Sequence, residues 1–154
     1  MSKKKLIDLY LYSRLEDGPR FLLFRRAKGH IYEGQWRMIG GKVKKNEKYW
    51  EAALREMKEE TGLRPGKMFT LPSVNQFYEH RTDKILTIPA FAGEISLNDT
   101  IRLNSEHNEF EWFDVETAVE KVVWPEQQRL IRLTHDLITS EKIPEEWCIS
   151  LTSV

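Results

Sequence analysis

A single cysteine, Cys148, is all that this 154-residue chain contains. Intramolecular disulfides and metal–thiolate clusters are thereby excluded, and the usage fits a reducing, cytoplasmic setting. A dominant sign of charge is missing too. The 24 Lys and Arg residues meet 24 Asp and Glu, with a pI near 6.9. So balanced a chain has no global field to draw it onto nucleic acid or an anionic bilayer, and neither a stable nucleic-acid partner nor membrane attachment is expected. Long apolar runs are absent: no stretch reaches the ~18 residues that span a bilayer. The N-terminal MSKKKLIDLYLYS breaks its apolar run at Asp8 and lacks a signal-peptide core. There is no repeat, low-complexity tract or dividing linker, so the length reads as one domain over residues 1–154.

What is present alternates between strand and helix patterns. Residues 6–13 and 20–26 read as strands joined by the turn Glu16-Asp17-Gly18-Pro19. Residues 27–35 read as a loop, and 36–43 lead into a glycine turn. Residues 68–78 and 84–95 look like paired strands, and 110–113 like a short one. A short helix is expected over 116–122 and a longer one over 125–140. Pro125 sits in the first turn of that longer helix, and Leu130, Ile131, Thr134, Leu137 and Ile138 face inward. Such an α+β order gives a mixed β-sheet with helices on its faces, an α/β/α sandwich.

The richest stretch is residues 41–63, GKVKKNEKYWEAALREMKEETGL. Its pattern is G-x5-E-x7-R-E-U-x-E-E-x-G-U, where U is apolar. Asn46 is a good N-cap, Gly62 suits a left-handed C′ position and Pro65 stops continuation, so a helix is expected over about residues 47–61. Trp50, Ala53, Leu54 and Met57 form its apolar stripe. At ~100° per residue Glu56, Glu59 and Glu60 share a sector of roughly 100°, with Glu60 bordering the stripe. Like charges at i, i+4 cost an isolated helix roughly 0.2–0.5 kcal/mol. Arg55 offsets part of this, and a hard divalent cation would offset far more. A solvated, charge-laced helix face is the plain alternative. Against it, seven fixed polar or glycine positions match by chance on the order of once in 10⁸ placements.

The segment resembles the Nudix box, the motif of the Nudix hydrolase family, at every defining position, and a weaker family-like layout runs from about residue 6 to 138. The resemblance implies the Nudix fold and a Mg²⁺- or Mn²⁺-dependent hydrolase. Glu56, Glu59 and Glu60 match the family's metal-binding glutamates, and the position of Glu56 most often also serves as general base. The carbonyl of Gly40 matches a further metal ligand. Glu47 and Arg55 match a pair in which the arginine orients the glutamates. Upstream, Met38-Ile39-Gly40-Gly41 stands where many members carry Pro-Gly-Gly; both glycines remain.

Outside the box, Ser105-Glu106-His107 followed by Trp112 looks like an element of triphosphate-directed members, in which a glutamate at the place of Glu106 completes the metal site or acts as base. Glu109 and Glu111 are fallbacks, and a plain acidic loop is the alternative. His107 has no partner visible in sequence and reads as a surface or packing residue. Arg25 and Arg26 end a strand where members often carry a phosphate-binding arginine. Strand alternation sends them to opposite faces, so one of the two is expected to serve. Arg37 and Arg81 are weaker candidates of the same kind. Trp36 and Tyr78 are candidates for stacking on a flat ring, while Trp112 and Trp124 read as packing residues. The Glu106 element and the run Trp124-Pro125-Glu126-Gln127-Gln128-Arg129 look most like enzymes that cleave (deoxy)nucleoside triphosphates or dihydroneopterin triphosphate to a monophosphate and pyrophosphate. ADP-ribose or diadenosine-polyphosphate hydrolysis and a non-catalytic nucleotide sensor are the alternatives. The expected partner is a small nucleotide-like molecule. Dimers are common in the family, and the strand-rich N-terminus could supply a homodimer interface.

Overall fold

The computed structural model describes residues 4–151. Seven strands form one sheet: β1 (Leu6–Leu15), β2 (Gly18–Arg26), β3 (Trp36–Arg37), β4 (Ile39–Lys42), β5 (Lys67–Glu79), β6 (Lys84–Glu94) and β7 (His107–Phe113). Between and after them lie α1 (Tyr49–Thr61), α2 (Val115–Lys121), α3 (Pro125–Ser140) and a 3₁₀ turn, Glu145–Trp147. β1 runs parallel to β6, while the remaining pairs are antiparallel. The sheet is therefore mixed, as expected. One edge of β1 is shared: residues 6–9 pair with β4 and residues 11–15 with β2. Beyond Leu22, β2 turns to β3 through Phe24 and Arg25, and pairs with β7 along its other side.

Period-two alternation along β1 builds two cores. Ile7, Leu9 and Leu11 join Ala52, Ala53, Leu54 and Met57 of α1. Tyr10 and Tyr12 join Ala118 and Val119 of α2 and Leu130, Ile131 and Ile138 of α3. Each large apolar side chain so buried contributes roughly 1.5–3 kcal/mol, which makes β1 the strand that both helical layers clamp. The result is the α/β/α sandwich. Asp8 shares the parity of Tyr10 and is just as buried, which puts a carboxylate inside an otherwise apolar layer.

Boundaries moved where side-chain chemistry decided them. α1 starts at Tyr49, two residues later than expected. Asn46 is no cap; it takes a left-handed turn conformation (φ 66°), and Glu51 closes the helix start by accepting from the Lys48 N–H at 2.9 Å. Gly62 does end the helix in the left-handed region (φ 78°), donating to the Lys58 carbonyl. β7 begins at His107, not at residue 110, because its pairing with β2 continues past a bulge between Arg25 and Arg26. The exposed Asn108, Glu109 and Glu111 hid that extension in the sequence. α3 buries Leu130, Ile131, Thr134 and Ile138, and also Gln127, a polar residue of its first turn.

Candidate active site

The glycine turn and α1 are fitted to each other. Gly41 lies on β4, and a methyl group on it would overlap the Glu56 carboxylate. Gly40 has no such restriction, its nearest neighbour being the Ile7 carbonyl. Glycine at 41 thus lets a carboxylate lie against strand backbone. Because the obstructed group is the end of a flexible side chain, Gly41→Ala should displace Glu56 while the fold holds. Steady-state kinetics should show turnover reduced by about 10²-fold, with Tm within a few degrees of wild type.

Arg55 organises the carboxylates around it. Its Nε and Nη2 donate to both oxygens of Glu47 at 2.8 and 3.1 Å. Nη1 donates to Glu56 at 2.9 Å and to Glu59 at 3.2 Å, and Nη2 also reaches the Lys42 carbonyl at 2.7 Å. A planar guanidinium can serve these directions together, whereas an ammonium cannot. Burial pushes the Glu56 carboxyl above the usual carboxylate range, and the Arg55 hydrogen bond opposes this.

Glu60 is the buried member, 1% exposed. Burial first, then the charges of Glu106 and Glu56, push its carboxyl up to about 9. His107 faces it, with Nδ1 3.4 Å from Glu60 Oε1. Burial lowers that imidazole to about 4, helped by Arg26 and Arg37. At neutral pH both groups are uncharged, so they form no ion pair. Among the described residues, Glu60 Oε2 and His107 Nδ1 have no hydrogen-bond partner. One ligand atom from each of Glu60, Glu106 and His107 lies within 4.8 Å of the others. Two unsatisfied ligand atoms buried beside a third ligand, the Glu106 carboxylate, suit a divalent cation with oxygen and imidazole ligands. Glu106 is held there by its loop: its carbonyl accepts from the Ala27 N–H at 2.9 Å, and its N–H donates to Asn104.

A cleft of about 630 Å³ runs from this cluster across the sheet. Gly40, Gly41, Glu56, Glu60, Glu106 and His107 line it, together with Arg26 and Arg37. Glu59 stays at the helix surface on Arg55. Four of the substrate-binding candidates do not reach the cleft. Arg25 is turned outward onto Glu109, so the alternation argument selects Arg26. Trp36 packs edge-on against Phe113 in the core beside α2 and α3. Tyr78 stands at the exposed end of the β5–β6 hairpin, donating to Asp83 at 2.8 Å, and Arg81 lies exposed in the turn of that hairpin. The rings that do line the cleft are Tyr32, Phe77 and Trp124. Of these, Trp124 read as a packing residue and the other two gave no signal. Asp8 and Asn75 were given no site role, and Gln127 was read only as part of the run 124–129; Asp8, a charge inside an apolar strand, offered a clue.

Comparison with known proteins follows the same lines. A family model described as the NUDIX domain matches residues 10–134. Over 114 residues the chain is 35% identical to an octanoyltransferase of Myxococcus xanthus; the match covers 68% of this chain but only 30% of that protein. It is 25% identical over 130 residues to the asymmetrical bis(5'-nucleosyl)-tetraphosphatase of Caenorhabditis elegans, covering 83% of this chain and 91% of the relative. The crystal structure of a C. elegans Ap4A hydrolase binary complex shares the fold, with a TM-score of 0.74 at 22% identity, covering 90% of this chain and 99% of that one. With the whole loop–helix–loop of residues 41–63 inside the matched span, the chain belongs to the Nudix family of hydrolases.

Proposed function

We propose that this protein is a Mg²⁺- or Mn²⁺-dependent pyrophosphohydrolase that cleaves a nucleoside-triphosphate-like substrate, either a (d)NTP or dihydroneopterin triphosphate, to monophosphate and pyrophosphate. The observation that carries this reading is the convergence of Glu56, Glu60, Glu106 and His107 in one cleft large enough for a ring and its phosphates. Glu56, Glu60 and Glu106, with His107 beside them, would hold the cation. When bound, it supplies neutralising charge to the non-bridging phosphate oxygens and the leaving group. Arg26 offers a guanidinium to phosphate oxygens along the cleft. Arg55 positions Glu56 and Glu59. Glu56 takes a proton from the attacking water, a role its burial favours by raising its basicity. The water oxygen bonds to phosphorus, the bridge between α- and β-phosphates breaks, and the electron pair leaves on the departing phosphate.

Similarity to the tetraphosphatase favours a second reading, a dinucleoside polyphosphate as substrate. Product analysis over a panel of dNTPs, NTPs, dihydroneopterin triphosphate, ADP-ribose and diadenosine polyphosphates separates the two. The proposal expects pyrophosphate release and the highest kcat/KM on a triphosphate. A highest kcat/KM on a diadenosine polyphosphate would replace it with the second reading.

The cation site has a signature independent of turnover. A cation must displace the proton that Glu60 holds up to about pH 9. Thermal shift without substrate should therefore show Mg²⁺ raising Tm more at pH 8.5 than at pH 6. An equal shift at both pH values would place the ion elsewhere.

A further inference from the structure

Outside the cation cluster the cleft is also lined by buried polar side chains, beginning beside Gly40 with Asp8, its β1 pairing partner. Asp8 (4% exposed), Asn75 (6%) and Gln127 (3%) come from β1, β5 and α3. Asn75 donates its amide N–H to Asp8 Oδ2 at 3.0 Å, fixing the carboxylate in place. Two further atoms are buried with no hydrogen-bond partner among the described residues: Gln127 Oε1, an acceptor, and Arg37 Nη1, a donor. All four side chains line the cleft. Over them stand exposed rings. Tyr32 covers the Arg37 guanidinium at 4.2 Å, and Trp124 meets Tyr32 edge-on at 6.0 Å and Phe77 at 6.2 Å. Buried polar groups left unmatched are costly, so this set points to a ligand that matches them.

We infer that this part of the cleft receives a flat heterocycle carrying a 2-amino-4-oxo edge, of the guanine or pterin type, with Asp8 and Gln127 accepting its N–H groups and Arg37 donating to its oxo group. The inference rests on the hydrolase reading above and names the substrate class of the same site. The hydrogen-bond inventory decides it. An ionised carboxylate only accepts and a guanidinium only donates. The ligand edge must therefore offer adjacent N–H donors beside one carbonyl. Adenine presents one amino donor beside a ring nitrogen and has no carbonyl. Uracil has one N–H between two carbonyls, and cytosine one amino group beside two acceptors. The guanine edge, with its 2-amino group, ring N–H and carbonyl in a row, fits, and the pterin ring carries the same three groups. Tyr32 and Trp124 supply the apolar rim on which either ring can rest.

Binding of monophosphates in the presence of chelator tests this without turnover. Calorimetric titration with GMP, IMP, AMP, UMP and neopterin monophosphate should show GMP or the pterin binding at least about tenfold tighter than AMP and UMP. IMP, lacking only the 2-amino group, should bind about tenfold more weakly than GMP. Asp8→Asn should erase the difference between GMP and IMP. Arg37→Met should weaken both alike, and circular dichroism on both variants separates these effects from general loss of structure. Comparing GMP with neopterin monophosphate identifies which source of the shared edge the site prefers. AMP binding as tightly as both GMP and the pterin overturns the inference, as does a GMP preference over IMP that survives in a folded Asp8→Asn protein. If selectivity fails while pyrophosphate release persists, only this inference falls. If selectivity holds but no substrate is cleaved, the hydrolase reading falls instead.

Discussion

Replacing Glu60 with Gln is expected to lower Mg²⁺-dependent turnover by about 10³-fold, roughly 4 kcal/mol of barrier, while making the metal-free protein more stable at pH 8. The first effect follows from removing a ligand atom at the buried centre of the Glu60–Glu106–His107 cluster. The second follows from proton linkage. Glu60 titrates at 4.5 as an ordinary carboxyl and at about 9 when folded, so between these values the folded protein holds a proton that the unfolded chain has lost. Stability therefore falls as pH rises through that window. His107 acts oppositely and lower down. Its imidazole moves from 6.5 to about 4 on folding, so it costs stability only as pH drops below 6.5. Above pH 6.5 the slope belongs to Glu60. In EDTA, wild-type Tm should decline from pH 6.5 to 9 by about 5 °C or more, and Glu60→Gln should flatten that decline. A variant with the same slope as wild type would show that Glu60 is ionised in the folded protein and that its burial is misjudged.

The other large effect belongs to Arg55. Arg55→Lys keeps the charge but loses the fork that spans Glu47, Glu56, Glu59 and the Lys42 carbonyl. One ammonium cannot hold Glu47 and Glu56 together in these directions. Freed from Arg55, Glu56 and Glu59 repel each other, and Glu56 drifts from the cleft floor. We expect kcat to fall by about 10²-fold with little change in KM, and stability to fall by about 1 kcal/mol, since the pairs are partly solvated. Calorimetry should show weakened Mn²⁺ binding as well. Wild-type kcat in Arg55→Lys would mean that the glutamates need no positioning by the guanidinium.

How much of this was legible in the sequence depended on distance along the chain. α1 carries its chemistry and its packing on one helical period, so the stripe of Ala53, Leu54 and Met57 and the placement of Glu60 at its border could be read directly; the helix start could not, because a left-handed Asn46 looks identical to a cap. Glu106 was within reach because it precedes a recognisable strand. The importance of His107 was not, since Glu60, which it faces at 3.4 Å, lies on another element far off in sequence. The meeting of Asp8 with Asn75 in the cleft was out of reach. Asp8 and Asn75 are 67 residues apart and meet through β1–β6–β5 packing, which no local spacing encodes. Trp36 and Tyr78 illustrate the converse: residue type suggested stacking, but strand register turned one into the core and left the other at a hairpin end.

The central claim is that the glutamate cluster holds a divalent cation without which no phosphoanhydride is cleaved. Pyrophosphate release from the best triphosphate substrate, measured across Mg²⁺ concentration for wild type and Glu60→Gln, tests it most directly. The account predicts that wild-type turnover vanishes with chelator and returns with Mg²⁺, and that the folded variant stays near background at every concentration. Turnover that survives chelation, or a Glu60→Gln protein as active as wild type, would contradict it.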